Sequence, residues 1–252
     1  AEDLDELRDS AMETFGQLNR FEQDFATNLL RNYAVPLANR GSLPHKRFVF
    51  DLYKMELERG FFANTISAGA FMNIVSLGLS VDEFEWIEHF INRFKNYLPQ
   101  DEREITFNYC WGLVHYHKGL ENNMLEDFYK SIQYINLIPT RLGPKFEVRV
   151  RPALLRIHFE IFERGRETLD DLLNHARNFE RHLKGSTDYA EPVLDSYLIF
   201  VQYFKTLARL VGNPNTKRTV LDKFFEKLSG NMQEIAFKPW LLEKVQKLAT
   251  QG

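Results

Sequence analysis

Asn108-Tyr-Cys-Trp111-Gly112-Leu-Val-His115-Tyr116-His-Lys-Gly119 is an aromatic-rich stretch that stops on a glycine, and a second apolar run begins within a few residues, near 122. Two helical patterns separated by a turn glycine describe a helical hairpin. Gly119 is not isolated in this role: Gly41, Gly78, Gly119, Gly165 and Gly212 follow one another at spacings of 37, 41, 46 and 47 residues, each after an apolar helical stretch. A turn signal that recurs at nearly regular intervals, with helices between, is the sequence mark of stacked hairpins, an α-solenoid.

The helical reading extends along nearly the whole chain. Spans fall at about 3–15, 20–39, 44–59, 64–77, 81–98, 102–118, 122–136, 146–164, 167–184, 192–211, 216–229 and 237–249. Ser80, with Glu83 three residues on, reads as a capping box. The acids after Asp101, and Asp170-Asp171, suit the positive end of a helix dipole. Pro192 stands where a helix begins, and Asn213-Pro214-Asn215 breaks the chain. Phe146 to Val150 alternates as a strand does, but Pro152 follows and the helical pattern resumes. Residues 136–145, with Pro139, Gly143 and Pro144, form the least helical stretch, a longer loop or a hinge in an otherwise single domain of 1–252.

Several helices are apolar on two sides. In 81–98, Phe84, Ile87, Ile91, Phe94 and Leu98 make one stripe, and Trp86, Phe90 and Tyr97 a second. In 192–211, Val193, Tyr197, Phe200, Phe204 and Leu207 are broadened by Leu194, Leu198 and Val201. A helix on a bundle surface needs one stripe, whereas two imply neighbours on both sides. At the C-terminal end Trp240, Leu241, Val245 and Leu248 give one face, with Glu243, Lys244 and Lys247 read as facing water, the pattern of a capping helix. The first helix, with Leu4, Leu7, Ala11 and Phe15, also has one apolar face, and its start reads as a chain cut from a longer array.

The 108–139 unit resembles a tetratricopeptide (TPR) repeat: Asn108, Trp111-Gly112 and His115 hold the spacings of that pattern's first helix, and Gly119 its turn. The matching position to Gly112 is Phe71, His158 or Lys205 in the other units, so the array is TPR-like and divergent. Residues from about 60 to 250 also resemble an uncharacterised family of TPR-like helical-repeat proteins. That resemblance rests on Glu85-Trp86-Ile-Glu-His-Phe-Ile, Phe107-Asn-Tyr109, Leu154-Leu-Arg-Ile-His-Phe-Glu160 and Trp240-Leu-Leu-Glu-Lys-Val245. It implies an all-α, right-handed superhelix of stacked antiparallel hairpins, about five of them, and brings no catalytic residues with it.

Chemistry-bearing motifs are missing from the sequence. It has no glycine-rich phosphate loop, no Gly-x-Ser-x-Gly elbow, no His-Glu-x-x-His and no CxxC pair. His115 and His117 point to opposite sides of a helix. His175 and His182 share a face but stand about 10 Å apart along it, too far to hold one ion. Cys110, the lone cysteine, reads as a buried structural thiol, and its solitude fits a reducing compartment. The expectation is a cytoplasmic non-enzyme with no cofactor and no metal, and no run of 18 apolar residues that would span a membrane.

Charge is distributed unevenly. Residues 141–166 carry Arg141, Lys145, Arg149, Arg151, Arg156, Arg164 and Arg166 against Glu147, Glu160 and Glu163, a local +4, while residues 1–24 sum to −6. Lys145, Arg149 and Arg156 fall on one side of their helix. With Asn108 they make a candidate clamp for an acidic peptide or an acidic segment of a partner protein. The function expected is therefore a protein-interaction module or scaffold. One alternative is a self-assembling structural segment, with the acidic N-terminal helix docking on residues 141–166 of a second copy. The other is binding of single-stranded RNA, which the overall charge of −3 and the confinement of the basic residues to one repeat argue against.

Overall fold

Apolar residues three and four apart, with glycines and capping side chains between the runs, dictate helices, and helices are what the chain forms. The computed structural model describes residues 6, 10, 13–62, 65–139, 142–213 and 215–251. Among them there is no strand, and no helix is long and apolar enough to cross a membrane. Much of the 3–15 helix, Arg141 and Pro214 lie outside the described residues. The chain divides into two compact units, 1–117 and 118–252.

The first unit contains α1 (Arg20–Asn39), α2 (Leu43–Glu58), α3 (Ala68–Leu79), α4 (Phe84–Phe94) with a 3-10 turn (Lys95–Tyr97), and the larger part of α5 (Arg103–Asn122). Each of α1 to α3 packs on its successor, and α4 on the 3-10 turn that follows it. Phe50, Phe71, Ile74, Ile87, Phe90 and Ile91 are fully buried, and burying each such side chain stabilises by about 1.5–3 kcal/mol. Trp86 stacks on Phe90 with ring centroids 5.3 Å apart and meets Phe50 edge-on at 5.1 Å. Both sides of the Phe84–Leu98 segment are therefore in contact, as its two stripes foretell.

The second unit contains α6 (Leu125–Asn136), α7 (Pro144–Glu163), α8 (Leu169–Gly185), α9 (Glu191–Gly212), α10 (Arg218–Ser229) and α11 (Lys238–Gln251). Neighbours in sequence pack together from α6 to α9 and again in α10–α11, and α11 also packs on α9. One core joins Phe159 of α7, Leu172, Phe179 and Leu183 of α8, Phe200 and Phe204 of α9, and Trp240 and Leu241 of α11. Asn136 ends α6 and Pro144 begins α7, both inside this unit, and Phe146–Val150 is helical.

The glycines divide into two kinds. Gly165 is a turn residue: its φ is 68°, the left-handed region open to glycine, and Arg166 N–H donates to Ile161 O while Gly165 N–H donates to Phe162 O. That pair of bonds is a Schellman cap. Gly41, with φ 96°, closes α1 in the same way. Gly78 and Gly119 instead lie within α3 and α5, and Gly212 is the last residue of α9. A Cβ on Gly78 would stand 2.5 Å from Ile87 Cγ1 and 2.8 Å from Phe50 Cε2, so this glycine serves close helix approach. Ser80 is also reassigned. It closes α3, its hydroxyl donating to Leu77 O, and Glu83 takes the N-cap position of α4 without a side-chain capping bond. Asp82, at φ 64°, makes the bend between them, a local constraint that a capping-box pattern does not reveal.

Candidate functional site

The residues of the expected clamp divide between the units: Asn108 lies on α5 in the first, and Lys145, Arg149 and Arg156 lie on α7 in the second. Lys145 is exposed at the start of α7, its ammonium 5.0 Å from the Phe146 ring centroid. Arg149 and Arg156 are half-buried. The Arg156 guanidinium sits 4.4 Å over the Phe237 ring. Burial raises the Tyr197 phenol above its ordinary range, and the two arginine charges act against that rise. The Arg156 guanidinium thus lies against an aromatic side chain of its own unit, where cation–π contact and packing account for part of its placement.

A different set of side chains converges at the α7–α8 hairpin. His158 projects from the second turn from the end of α7, Glu167 precedes the Thr168 N-cap of α8, and His175 lies in the second turn of α8. The Schellman cap at Gly165 and a reciprocal Thr168–Asp171 capping box hold the backbone on both sides of Glu167. Glu167 Oε2 is 3.1 Å from His158 Nδ1, and Glu167 Oε1 is 3.2 Å from His175 Nε2. The two imidazoles stack, with centroids 3.9 Å apart and planes inclined by 17°. One donor atom from each of the three residues lies within 4.8 Å of the others. Burial alone would raise the Glu167 carboxyl, but hydrogen bonds from both histidines and their charge outweigh it and bring the group to about 2.

The sign of that displacement sets a pH dependence. A carboxyl held below its ordinary 4.5 contributes stability above that pH, and the contribution disappears as pH falls toward 2. Partial solvation limits it to about 1–2 kcal/mol. With chelator present, wild type should exceed Glu167→Gln in urea-unfolding stability by that amount at pH 6, and the difference should vanish between pH 4.5 and 2. A difference independent of pH would mean that Glu167 acts through packing instead.

The same hairpin has a second rung. Glu147 pairs with Arg151 and lies 3.3 Å from His182 Nε2. His175 and His182, which share a face of α8, therefore belong to separate glutamates of α7 and its turn. The signal for the convergence was in the spacing: His158 stands nine residues before Glu167 and His175 eight after it. A hairpin turning near Gly165 brings equidistant residues side by side, whereas a search for histidines on one helix passes over them.

The first unit offers a surface rather than a cluster. On α1, Phe21, Phe25, Leu29 and Tyr33 are 78%, 65%, 61% and 56% exposed. Their four-residue steps lay them in one slowly turning stripe about 18 Å long. The side of α1 that packs inward is made largely of small residues, with Thr27, Ala34 and Ala38 buried. Arg31 crosses to Glu56 of α2 and lies 4.7 Å from the Tyr53 ring centroid. Burial raises the Glu56 carboxyl above its usual range, with Arg31 opposing the shift. Arg20 donates to the carbonyls of Arg59 and Gly60. Alanines allow α1 to lie close on α2, and the larger apolar side chains are left outside.

Cys110 is fully buried in α5, as its lone apolar context foretells. In comparisons with known proteins, no family model, no curated protein and no solved structure matches this chain.

Proposed function

We propose that this chain is a helical-repeat protein-interaction module whose α1 face binds an amphipathic helix of a partner protein. The observation that carries the proposal is the exposed stripe of Phe21, Phe25, Leu29 and Tyr33. Single exposed apolar residues are ordinary, but a contiguous row of four large ones marks an interaction surface. A stripe of about 18 Å matches three to four turns of a docked helix, which would engage it through apolar anchors at i, i+3 or i+4 and i+7. Exposed Glu22 and Asp24 beside the stripe favour a basic flank on that helix.

The test is selection of displayed amphipathic helical peptides on wild-type protein, followed by affinity measurement on a Phe25→Asp/Leu29→Asp variant whose helicity is checked by circular dichroism. Selected peptides should carry helical apolar spacing and bind the variant at least ten-fold more weakly, since anchor residues dominate such contacts. Failure to select any peptide, or equal binding to the folded variant, would defeat the proposal. Concentration-dependent dimerisation of the wild type that the variant abolishes would reassign the stripe to a second copy.

A further inference from the structure

We propose that His158, Glu167 and His175 form a three-ligand site for a divalent transition metal of the zinc class, with a fourth position open to water. Two imidazole nitrogens and a carboxylate oxygen are the donors such ions take, and three protein ligands with one open position is a recurring zinc arrangement. In a tetrahedral site with metal–ligand bonds of about 2.0–2.1 Å, neighbouring donor atoms stand about 3.3 Å apart. The Glu167 Oε2–His158 Nδ1 separation, 3.1 Å, lies close to that edge length, while the 3.2 Å contact of His175 Nε2 runs to the other oxygen, Oε1. One donor atom from each residue already falls within 4.8 Å of the others, so rotation of the His175 ring toward the shared oxygen closes the remaining edges. That ring has room to turn, being 43% exposed, while His158 and Glu167 are 17% and 12% exposed and held within the hairpin.

Two further features favour an ion over a carboxylate simply paired with a histidine. One carboxylate faces two rings that are stacked on each other, so a single ion among them would engage all three groups. A divalent ion supplies the positive charge itself and needs both rings neutral, the form that ligates. In addition, Glu167 is placed by backbone capped on both sides, which restricts the rearrangement needed to bind. His175 is the most exposed of the three ligands, so water or another small donor can reach the fourth position.

The experiment is titration of the chelator-treated full chain with Co2+, followed by displacement with Zn2+. Expected is a saturable visible band of four-coordinate Co2+ at one ion per chain, abolished by stoichiometric Zn2+, with a rise in Tm on Zn2+ addition. His158→Ala/His175→Ala should weaken binding by well over ten-fold and Glu167→Gln by at least ten-fold. His182→Ala, on the neighbouring rung, should leave it unchanged. Far-UV circular dichroism confirms that each variant is folded, and the Glu167→Gln variant preserves side-chain volume should the double alanine variant unfold. Absence of saturable uptake by the wild type overturns the proposal, as does uptake that survives in folded Glu167→Gln.

Discussion

Replacing Lys244 by methionine should destabilise the protein by about 3–5 kcal/mol, the range for breaking a buried ion pair on one side. The Lys244 ammonium is paired with Glu160, and with Glu163 at 3.1 Å; the side chains of Lys244 and Glu160 are 4% and 0% exposed. Arg164 also reaches Glu160, at 3.1 Å. Methionine fits the lysine stem against Phe159 but leaves a buried carboxylate with Arg164 alone for charge compensation. Urea unfolding at pH 7 measures the cost. The same substitution made in a Glu160→Gln background should cost markedly less, because the charge left behind has been removed. A loss below about 1 kcal/mol in the wild-type background would show that Lys244 has an alternative exit to water.

Gly78→Ala should cost about 3 kcal/mol, at the upper end of what overpacking a filled core produces. The new methyl would meet both Ile87 and Phe50 well inside contact distance, and both are fully buried. Gly69→Ala on the same helix is the matched comparison. Nothing lies within 4 Å of its added methyl, so it should gain up to about 1 kcal/mol from helix propensity. Thermal unfolding of both variants decides the matter. If the two alanines had the same effect, Gly78 would not be the point of close approach between α3 and its neighbours.

Helix positions were largely legible because apolar spacing and capping residues are local signals. The expectation of 20–39 coincides with α1 and that of 192–211 with α9 to within one residue at each end. Errors arose where one residue type serves two physical purposes. A glycine after an apolar run reads as a turn, and Gly165 is one, whereas Gly78 is small so that helices can touch. Lys244 was placed on the water-facing side of α11 because it is charged. Its spacing, three after Leu241 and four before Leu248, puts it on the apolar side, and the partners that make its burial tolerable come from α7. The α1 stripe has visible four-residue periodicity, but periodicity identifies a face without saying whether it points inward. The His158–Glu167–His175 convergence needed the hairpin's symmetry as well as its residues.

The connection from Arg164 to Thr168 has a consequence for how this chain can vary. It is capped by a Schellman turn on one side and a capping box on the other, so it has no slack. One inserted residue would rotate Glu167 away from both imidazoles even with every side chain retained. The length of a five-residue turn is thus as much a determinant of the cluster as the identity of its members, and a relative with a longer turn would have to assemble such a site anew.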